Sequence, residues 1–266
     1  MPPQPWFGIT LVLTVFMADL AAGAAWPHWR GASRSGVVDE KSGYADGRWL
    51  PDRPDWTAPV GQGASSPVVV GDSVYVLGHG NGADIITCLE VATGRERWSK
   101  SYDCPARGRQ ATGDEGFYEG PSSTPSFDRR TNQLYTLSVD GDLQAWDGTS
   151  GQNRWRRNLY DAYQIARRPK VGRQGRRDYG YTTSPLVTAS SVVVEVGADS
   201  GTLMGFDARS GERIWSSQHR EPAGHTGSPV PMTVGGRPCV AVLTLRDLLI
   251  ARLDAGHEGE TRATYP

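Results

Sequence analysis

Short apolar runs alternate with polar turns along most of the chain, and residues 184–215 show the pattern most clearly. One apolar run covers 184–188, a second covers 191–196 and a third covers 202–206, with a polar turn at 197–201. A last short run ends at Trp215. The runs have strand length, are rich in β-branched residues and are separated by Gly, Asp and Ser. The pattern predicts a four-stranded antiparallel meander.

A turn motif precedes the last strand of this unit and occurs in three copies. In each copy an acidic residue lies eight positions before a Trp, a Ser or Thr five before it and a Gly four before it. The Trp-to-Trp steps are 57 and 60 residues, and such self-similarity is typical of repeat proteins. We expect the shared positions to be structural: Gly94, Trp98, Asp147, Gly151, Trp155, Asp207, Gly211 and Trp215.

Each motif position has a physical role in a turn between strands. The glycine permits a positive φ, and the Asp and Ser side chains bond nearby backbone N–H groups. The Trp is the large apolar side chain that fills the gap to the next sheet. A repeat of four short strands with an aromatic signature predicts an all-β fold, a β-propeller of four-stranded antiparallel blades.

The repeats also divide the chain. We assign full repeats to 64–102, 122–159 and 183–217, and a partial repeat to 227–266, where Arg262 stands in place of the expected Trp. Three full repeats and a partial one fall short of the ~4–8 blades of a closed propeller, so an incomplete arc with exposed sheet edges is expected. Residues 26–63 are predicted to be an irregular leading segment, in which Trp56 ends an outer strand of a preceding blade.

Residues 1–25 are typical of a secretory signal peptide. Their apolar core at 7–18 is too short to span a membrane, and small residues follow at 21–25. The tripeptide at 22–24, Ala-Gly-Ala, fits an A-x-A cleavage site. We therefore expect an exported protein, periplasmic or extracellular, without a membrane span.

The net charge limits the classes of partner, and the cysteine count limits the number of disulfides. The formal net charge of the 266-residue chain is −1, which gives no electrostatic reason to expect nucleic acid as a partner. The three cysteines, Cys88, Cys104 and Cys239, allow at most one disulfide, and the sequence leaves their pairing open. Cys88 and Cys239 lie in apolar runs and are expected to be small buried side chains.

The motif A-x-D-x-x-[ST]-G-x-x-x-W resembles the PQQ-binding-like (pyrroloquinoline quinone) repeat. The leading residues 26–31, Trp-Pro-His-Trp-Arg-Gly, are similar to the start of secreted bacterial members of that family. The resemblance covers about 26–254 and implies a propeller like that of quinoprotein dehydrogenases. The family also contains non-enzymatic propellers, among them the outer-membrane assembly lipoprotein of the β-barrel machinery. The resemblance is therefore specific for fold and unspecific for function.

The resemblance also implies what a quinone site would need. In quinoprotein dehydrogenases the quinone lies in the channel under a disulfide between adjacent cysteines, near an Asp base and a Ca²⁺ bound by acidic and amide side chains. This sequence has no adjacent cysteine pair. Asp140, Asp142 and Asp199 are candidates for cofactor binding, with turn formation as the alternative, since Asp and Gly favour such turns. PQQ is a possible cofactor by resemblance only.

No other chemical motif stands out, so we predict neither a catalytic residue nor a metal site. The five histidines show no zinc spacing, and residues 140–142 lack the further ligands of a Ca²⁺ loop. There is no G-x-S-x-G elbow. The glycine-rich stretch 78–82 is followed by a strand, so it lacks the helix N-terminus that binds phosphate.

The connections predict where a partner binds. The long connections 99–121 and 156–183, and the turns between second and third strands, should emerge on one face of the propeller. We expect a protein or a small-molecule ligand there. The stretch 167–177 has six basic residues and no acidic one, and forms either a patch for an anionic partner or a solvated insertion.

The leading hypothesis is an exported propeller that acts as a binding or assembly scaffold without catalysis. It rests on the repeats and on the lack of a catalytic constellation. The alternative is a PQQ-dependent dehydrogenase or a fragment of one, and a third possibility is a non-functional gene remnant. The sequence leaves the ligand, the number of blades and the oligomeric state open, because function depends on sites and not on folds.

Overall fold

The computed structural model of the chain describes residues 25–38, 53–105, 120–165, 180–224 and 227–266. In these residues the chain forms four separate antiparallel sheets of four strands each and one short helix. The predicted signal peptide, apart from Ala25, and the basic stretch 167–177 lie outside the described residues.

In every sheet the strands follow one another in chain order, so each sheet is a meander. Sheet 1 contains β1 (Val68–Val70), β2 (Ser73–Gly80), β3 (Ala83–Glu90) and β4 (Glu96–Asp103). Sheet 2 contains β5 (Ser126–Asp128), β6 (Gln133–Leu137), β7 (Asp142–Asp147) and β8 (Asn153–Asn158), followed by α1 (Leu159–Ala162). Sheet 3 contains β9 (Leu186–Val187), β10 (Ser191–Ala198), β11 (Gly201–Asp207) and β12 (Arg213–Ser216). Sheet 4 contains β13 (Val230–Val234), β14 (Arg237–Leu243), β15 (Leu248–Arg252) and β16 (Thr261–Tyr265).

Neighbouring sheets pack face to face through their central strands. Leu77 of sheet 1 shares an apolar cluster with Leu134 of sheet 2, and Val193 of sheet 3 shares one with Leu249 of sheet 4. A further cluster joins sheets 2 and 3. The central strands of sheets 2 and 3 are buried along nearly their whole length, and therefore on both faces, because alternate residues of a strand point to opposite faces. This arrangement confirms the predicted β-propeller architecture.

The motif Trp of one sheet lies on the motif glycine of the next sheet. A Cβ atom at Gly151 would lie 2.5 Å from the ring of Trp98, and one at Gly211 would lie 2.6 Å from the ring of Trp155. Both glycines also have positive φ, 68° and 70°. Only glycine satisfies both conditions, because any side chain would collide with the indole and disfavour the left-handed backbone.

The indole N–H fixes the position of each ring. Trp98 donates to the carbonyl oxygen of Gly148 at 3.2 Å, and Trp155 donates to that of Ala208 at 3.0 Å. Gly148 and Ala208 both directly follow the motif Asp. Each buried indole therefore combines apolar packing with a satisfied donor, which is how buried Trp residues are usually accommodated.

Trp56 makes the same contact with the first sheet. Its ring covers Gly94, and its indole N–H donates to the carbonyl oxygen of Val91 at 2.8 Å. A residue of the leading segment thus occupies the place that the outer-strand Trp of a preceding blade would take.

The acidic residue of the motif holds the turn beneath the indole. Asp147 Oδ1 accepts hydrogen bonds from the N–H groups of Thr149 and Ser150 at 3.1 and 2.8 Å, and Asp207 accepts one from Ser210 at 2.8 Å. A hydrogen bond from Arg154 and those from the turn lower the pKa of Asp147 to about 2. The carboxylate therefore stays charged and stabilises the turn.

A second repeated contact links the sheets near their first strands. The N–H of Ser66 donates to Thr124 Oγ1 at 3.1 Å, that of Thr124 to Ser184 Oγ at 2.9 Å, and that of Ser184 to Ser228 Oγ at 2.8 Å. All four residues precede a proline. Each accepting hydroxyl therefore satisfies a backbone donor of the preceding repeat. This bond explains why a Ser or Thr recurs before the proline of each repeat.

The fourth sheet has all four strands, which the sequence indicated only in part. The pairing of β15 with β16 runs from Leu248 opposite Tyr265 to Ala251 opposite Thr261. This pairing uses backbone hydrogen bonds and needs no motif Trp. Glu258 stands where the other repeats have the motif glycine, and Trp215 packs against Gly205 of its own sheet.

The two outermost faces of the arc differ. The face of sheet 1 that points away from sheet 2 is covered by Trp56, Ala58 and Val60 of the leading segment. On sheet 4, Leu243 and Tyr265 are 49% and 58% exposed. The described apolar clusters thus join sheets 1 to 4 in sequence, which leaves an open, incomplete propeller.

The leading segment also crosses the first strands of sheets 1 to 3. Trp26 pairs with Val69, and the buried guanidinium of Arg34 donates to the carbonyl oxygen of Pro185 at 2.7 Å. Burial lowers the pKa of Arg34 to about 10. Burial and the nearby charge of Arg34 lower the pKa of His28 to about 4, so His28 is neutral at pH 7.

The contact between indole and glycine predicts that alanine substitutions at two glycines lower the stability of the fold by different amounts. Gly211→Ala and Gly71→Ala both place a side chain at positive φ, but nothing lies within 4 Å of a Cβ at Gly71, whereas Trp155 lies against Gly211. We expect Gly211→Ala to lower the free energy of unfolding by roughly 1–3 kcal/mol more than Gly71→Ala, as overpacking does. Urea unfolding measures both variants, and equal losses would contradict the contact.

Candidate functional site

A cleft of about 800 Å³ opens on one face of the arc, where turns of sheets 1 and 2 meet. It lies at the end of the strands opposite to the motif turns, because it includes the β2–β3 and β6–β7 turns and the end of β8. Its walls are formed by Gly82, Asp103, Pro105, Asp140, Asp142, Arg156, Asn158 and Asp161.

The β6–β7 turn places two carboxylates in this cleft. Asp140 and Asp142 flank Gly141, which has a φ of 86° and whose Cβ would lie 2.7 Å from the ring of Tyr160. The N–H of Asp142 donates to Ser138 Oγ at 2.9 Å, which closes the turn. Both Asp residues are buried, so the turn holds two acidic groups away from bulk water.

The charge of Asp142 is balanced inside the site. Its Oδ1 accepts hydrogen bonds from Arg156 Nε at 2.9 Å and from Asn158 Nδ2 at 3.2 Å. The bond to Asp142 raises the pKa of Arg156, and the guanidinium carbon lies 5.4 Å from the ring centroid of Tyr102. Asp142 is therefore the acceptor of an ion pair whose cation reaches the cleft surface.

Asn158 connects the turn to the following helix. Its Nδ2 donates to the carbonyl oxygen of Asp140 at 3.0 Å, and its Oδ1 accepts from the N–H of Asp161 at 3.2 Å. Asn158 is thus the N-cap of α1. The cap fixes this wall of the cleft relative to the β6–β7 turn.

A second group of polar side chains lies beneath the cleft in sheet 1. Asn81 and Gly82 both have positive φ, 53° and 75°, as a type I′ turn requires. The turn sets the register of β2 and β3, which places His79 opposite Asp84. His79 Nδ1 lies 2.9 Å from Asp84 Oδ1, and the Tyr102 hydroxyl donates to Asp84 Oδ2 at 3.0 Å. A tight hairpin thus builds a hydrogen-bonded group around one carboxylate.

Burial determines the electrostatics of this group. It raises the pKa of Asp84, while the hydrogen bonds from His79 and Tyr102 act in the opposite direction. Burial also raises the pKa of Tyr102 well above its ordinary value, so the phenol stays protonated and acts as a donor. The N–H of Cys104 donates to the carbonyl oxygen of Gly82 at 2.9 Å, which brings its thiol to the same place.

The structure brings together two of the three candidate Asp residues. Asp140 and Asp142 line the cleft, whereas Asp199 is exposed in the turn between β10 and β11 and does not line it. The side chain of Asp142 binds Arg156 and Asn158. Turn formation and an ion pair account for these contacts.

Sequence reasoning missed the group formed by His79, Asp84 and Cys104. A signal was present for the first two, because an Asn-Gly turn at 81–82 sets residues 79 and 84 opposite one another. Cys104 follows β4 and continues the β3–β4 register, in which Ala83 pairs with Asp103, so it lies opposite Gly82. The sequence analysis predicted the strands but did not trace this register.

The described residues do not fit the quinone site that the family resemblance implies. Cys88, Cys104 and Cys239 are all buried and form no disulfide with one another, and none is adjacent to another. The nearest grouping of acidic and amide side chains, Asp142 with Asn158, already binds the guanidinium of Arg156. A Ca²⁺ ion there would meet a fixed positive charge.

Comparison with known proteins gives a family match and two curated relatives. Residues 52–233 match the PQQ family described as "Glucose/ethanol/alcohol dehydrogenase, beta-propeller domain". The outer membrane protein assembly factor BamB of Bordetella pertussis is 28% identical over 187 residues, 69% of this chain and 37% of that protein. BamB of Xanthomonas campestris pv. campestris is 28% identical over 152 residues, 57% of this chain and 30% of that protein. The chain thus spans about a third of the length of these relatives.

A solved structure shares the fold. The quinohemoprotein alcohol dehydrogenase from Comamonas testosteroni matches with a TM-score of 0.51 at 16% identity, over 93% of this chain and 42% of that one. At this identity the likeness concerns the fold alone. Within the residues that the structure describes, no helix is long and apolar enough to cross a bilayer.

The ion pair in the cleft predicts an effect on stability. Arg156→Ala leaves the carboxylate of Asp142, which is 2% exposed, without its cation. We expect a loss of roughly 1–3 kcal/mol in the free energy of unfolding, as for an unsatisfied buried group. Arg95→Ala removes an exposed pair with Glu90 and should cost at most about 1 kcal/mol. Urea unfolding distinguishes the two variants, and an equal loss would show that Asp142 does not depend on Arg156.

Proposed function

The chain belongs to the PQQ family of β-propeller domains, and from this premise we propose that it is a non-catalytic member that binds protein partners in outer-membrane protein assembly. The proposal includes export, so the protein would work in the periplasm or outside the cell. It agrees with the predicted signal peptide at 1–25 and with the names of the two curated relatives.

The observation that carries this proposal is the internal use of the polar groups in the cleft. A catalytic carboxylate has to be available to substrate or to a metal ion, whereas that of Asp142 accepts two hydrogen bonds from Arg156 and Asn158. The His79–Asp84 pair is buried beneath the cleft. These bonds give the cleft a rigid floor, and rigidity suits recognition.

The rim of the cleft favours a polar protein segment as the partner. Asp103 and Asp161 are exposed, and the side chain of Arg156 is 47% exposed, so charges of both signs surround the opening. Mixed charge at an interface rim gives orientation and specificity more than raw affinity. The strands β4 and β8 both end on this side, and the long connections of the sequence follow them.

The family relation supports this function without fixing it. Both curated relatives are named outer membrane protein assembly factors, but the chain spans only about a third of their length. The fold is shared with an alcohol dehydrogenase, and one fold supports many functions. The identity of the partner therefore has to come from binding experiments.

One observation favours the alternative of a quinone-dependent dehydrogenase. Asp140, Asp142 and Asn158 bring acidic and amide side chains together in one cleft, which is the class of ligand that Ca²⁺ prefers. In this alternative, Arg156 would have to leave Asp142 before the ion binds.

A binding assay with paired variants tests the proposal. The purified chain is titrated against purified outer-membrane assembly proteins of the same organism by biolayer interferometry. Asp103→Lys with Asp161→Lys reverses two rim charges, and Arg95→Glu reverses an exposed charge at a motif turn on the opposite side. We expect the rim variant to weaken binding at least tenfold, about 1.4 kcal/mol, and the control to leave it unchanged.

A second assay decides between the two functions. The chain is incubated with PQQ and Ca²⁺, and both cofactor uptake and dye-linked alcohol oxidation are measured. Stoichiometric uptake with oxidation would replace the scaffold function by the dehydrogenase alternative. Absence of binding to every assembly protein, with the chain folded, would also overturn the scaffold proposal.

A further inference from the structure

Three side chains with metal-binding chemistry converge beneath the cleft. A ring nitrogen of His79, a carboxylate oxygen of Asp84 and the sulfur of Cys104 all lie within 4.8 Å of one another. All three residues are buried. Nitrogen, oxygen and sulfur donors thus converge at one enclosed point, which is the donor set of many protein zinc sites.

We propose that His79, Asp84 and Cys104 form a binding site for a divalent transition-metal ion of the Zn²⁺ class. Imidazole, carboxylate and thiolate are the three ligand types of protein zinc sites, whereas Mg²⁺ and Ca²⁺ prefer oxygen ligands alone. The thiolate in particular selects Zn²⁺ over these harder ions.

The hairpin prepares two of the ligands. The turn at Asn81 and Gly82 fixes the register of β2 and β3, so His79 and Asp84 face each other directly. Their donor atoms are 2.9 Å apart, close to the separation of two ligands on one tetrahedral ion. The ion would take the place of the proton between them, and the ring would stay neutral with its proton on Nε2.

Cys104 completes the set from outside the hairpin. Its N–H is bonded to the carbonyl oxygen of Gly82, so its backbone position is tied to the same turn. On binding, the thiol gives its proton to solvent and the thiolate coordinates the ion. The three ligands then carry two negative charges, which balance the charge of the ion.

The surroundings supply what a metal site needs besides its ligands. The Tyr102 hydroxyl donates to Asp84 Oδ2 at 3.0 Å and orients the carboxylate, as outer-shell groups do in metalloproteins. Asp140 Oδ2 accepts a hydrogen bond from Cys104 Sγ at 3.6 Å and so lies beside the thiol, outside the group of three ligand atoms. Asp140 also lines the cleft, which gives the ion a path from solvent.

A bound ion would connect two parts of sheet 1. His79 and Asp84 belong to the β2–β3 hairpin, and Cys104 to the segment directly after β4. The ion would therefore hold this end of the first blade together at the cleft floor. Its ligands differ from the acidic and amide set that the family resemblance implies for Ca²⁺. The inference also stands independently of the proposed scaffold function.

Co²⁺ binding to the metal-free full chain tests the site directly. We expect one Co²⁺ per chain, with the visible spectrum of a tetrahedral ion and the near-ultraviolet charge-transfer band of a thiolate ligand. One equivalent of Zn²⁺ should displace Co²⁺, whereas Ca²⁺ and Mg²⁺ should not. At Zn²⁺ concentrations about 100 times Kd, the melting temperature should rise by roughly 5–10 °C.

Variants and a mutation-free measurement assign the ligands. Cys104→Ala should abolish the charge-transfer band, and Cys239→Ala, which removes another buried thiol in sheet 4, should retain it. In the wild-type chain, Zn²⁺ should slow alkylation of Cys104, mapped by peptide mass spectrometry, and leave Cys239 unaffected. This alkylation measurement tests whether Cys104 is a ligand even if Cys104→Ala does not fold. Lack of stoichiometric Co²⁺ binding, a band that persists in folded Cys104→Ala, or unprotected Cys104 would overturn the proposal.

Discussion

The sheets are held in order by a contact in which an indole ring lies on the backbone of a glycine in the next sheet. Trp98 on Gly151 and Trp155 on Gly211 repeat it. The contact needs a residue without a side chain, a positive φ and a carbonyl that accepts the indole N–H, so each blade fixes the position of its neighbour. Trp56 extends the same contact to the first sheet from outside the repeats.

The opposite ends of the strands are free to differ, and there the four blades diverge. In sheet 1 an Asn-Gly turn places His79 opposite Asp84, while in sheet 2 the corresponding turn carries Asp140 and Asp142. Each turn changes its side chains without disturbing the indole contacts at the other end. One fold of this kind can therefore support different chemistries.

The repeated features were predictable from the sequence because each recurs at a fixed spacing. The motif turn before Trp155 and the apolar runs of each blade define the propeller. The fourth sheet was indicated only in part, because backbone pairing between β15 and β16 leaves no side-chain signature. The convergence of Cys104 with Asp84 depends on the exact register of β3 and β4, including the shift between Cys88 and Leu89, and the apolar pattern does not fix that register. Asp199 lies exposed in the β10–β11 turn, outside the cleft that Asp140 and Asp142 line.

Hydrogen exchange of the indole N–H groups, followed by NMR, tests the central claim most directly. The indoles of Trp56, Trp98 and Trp155 each donate to a carbonyl of the next sheet, whereas no carbonyl in the described structure accepts that of Trp215. We expect Trp98 and Trp155 to exchange only when sheets separate, Trp56 only when the leading segment leaves sheet 1, and Trp215 to exchange faster. Equal exchange of all four would contradict the account that indole contacts hold the blades together.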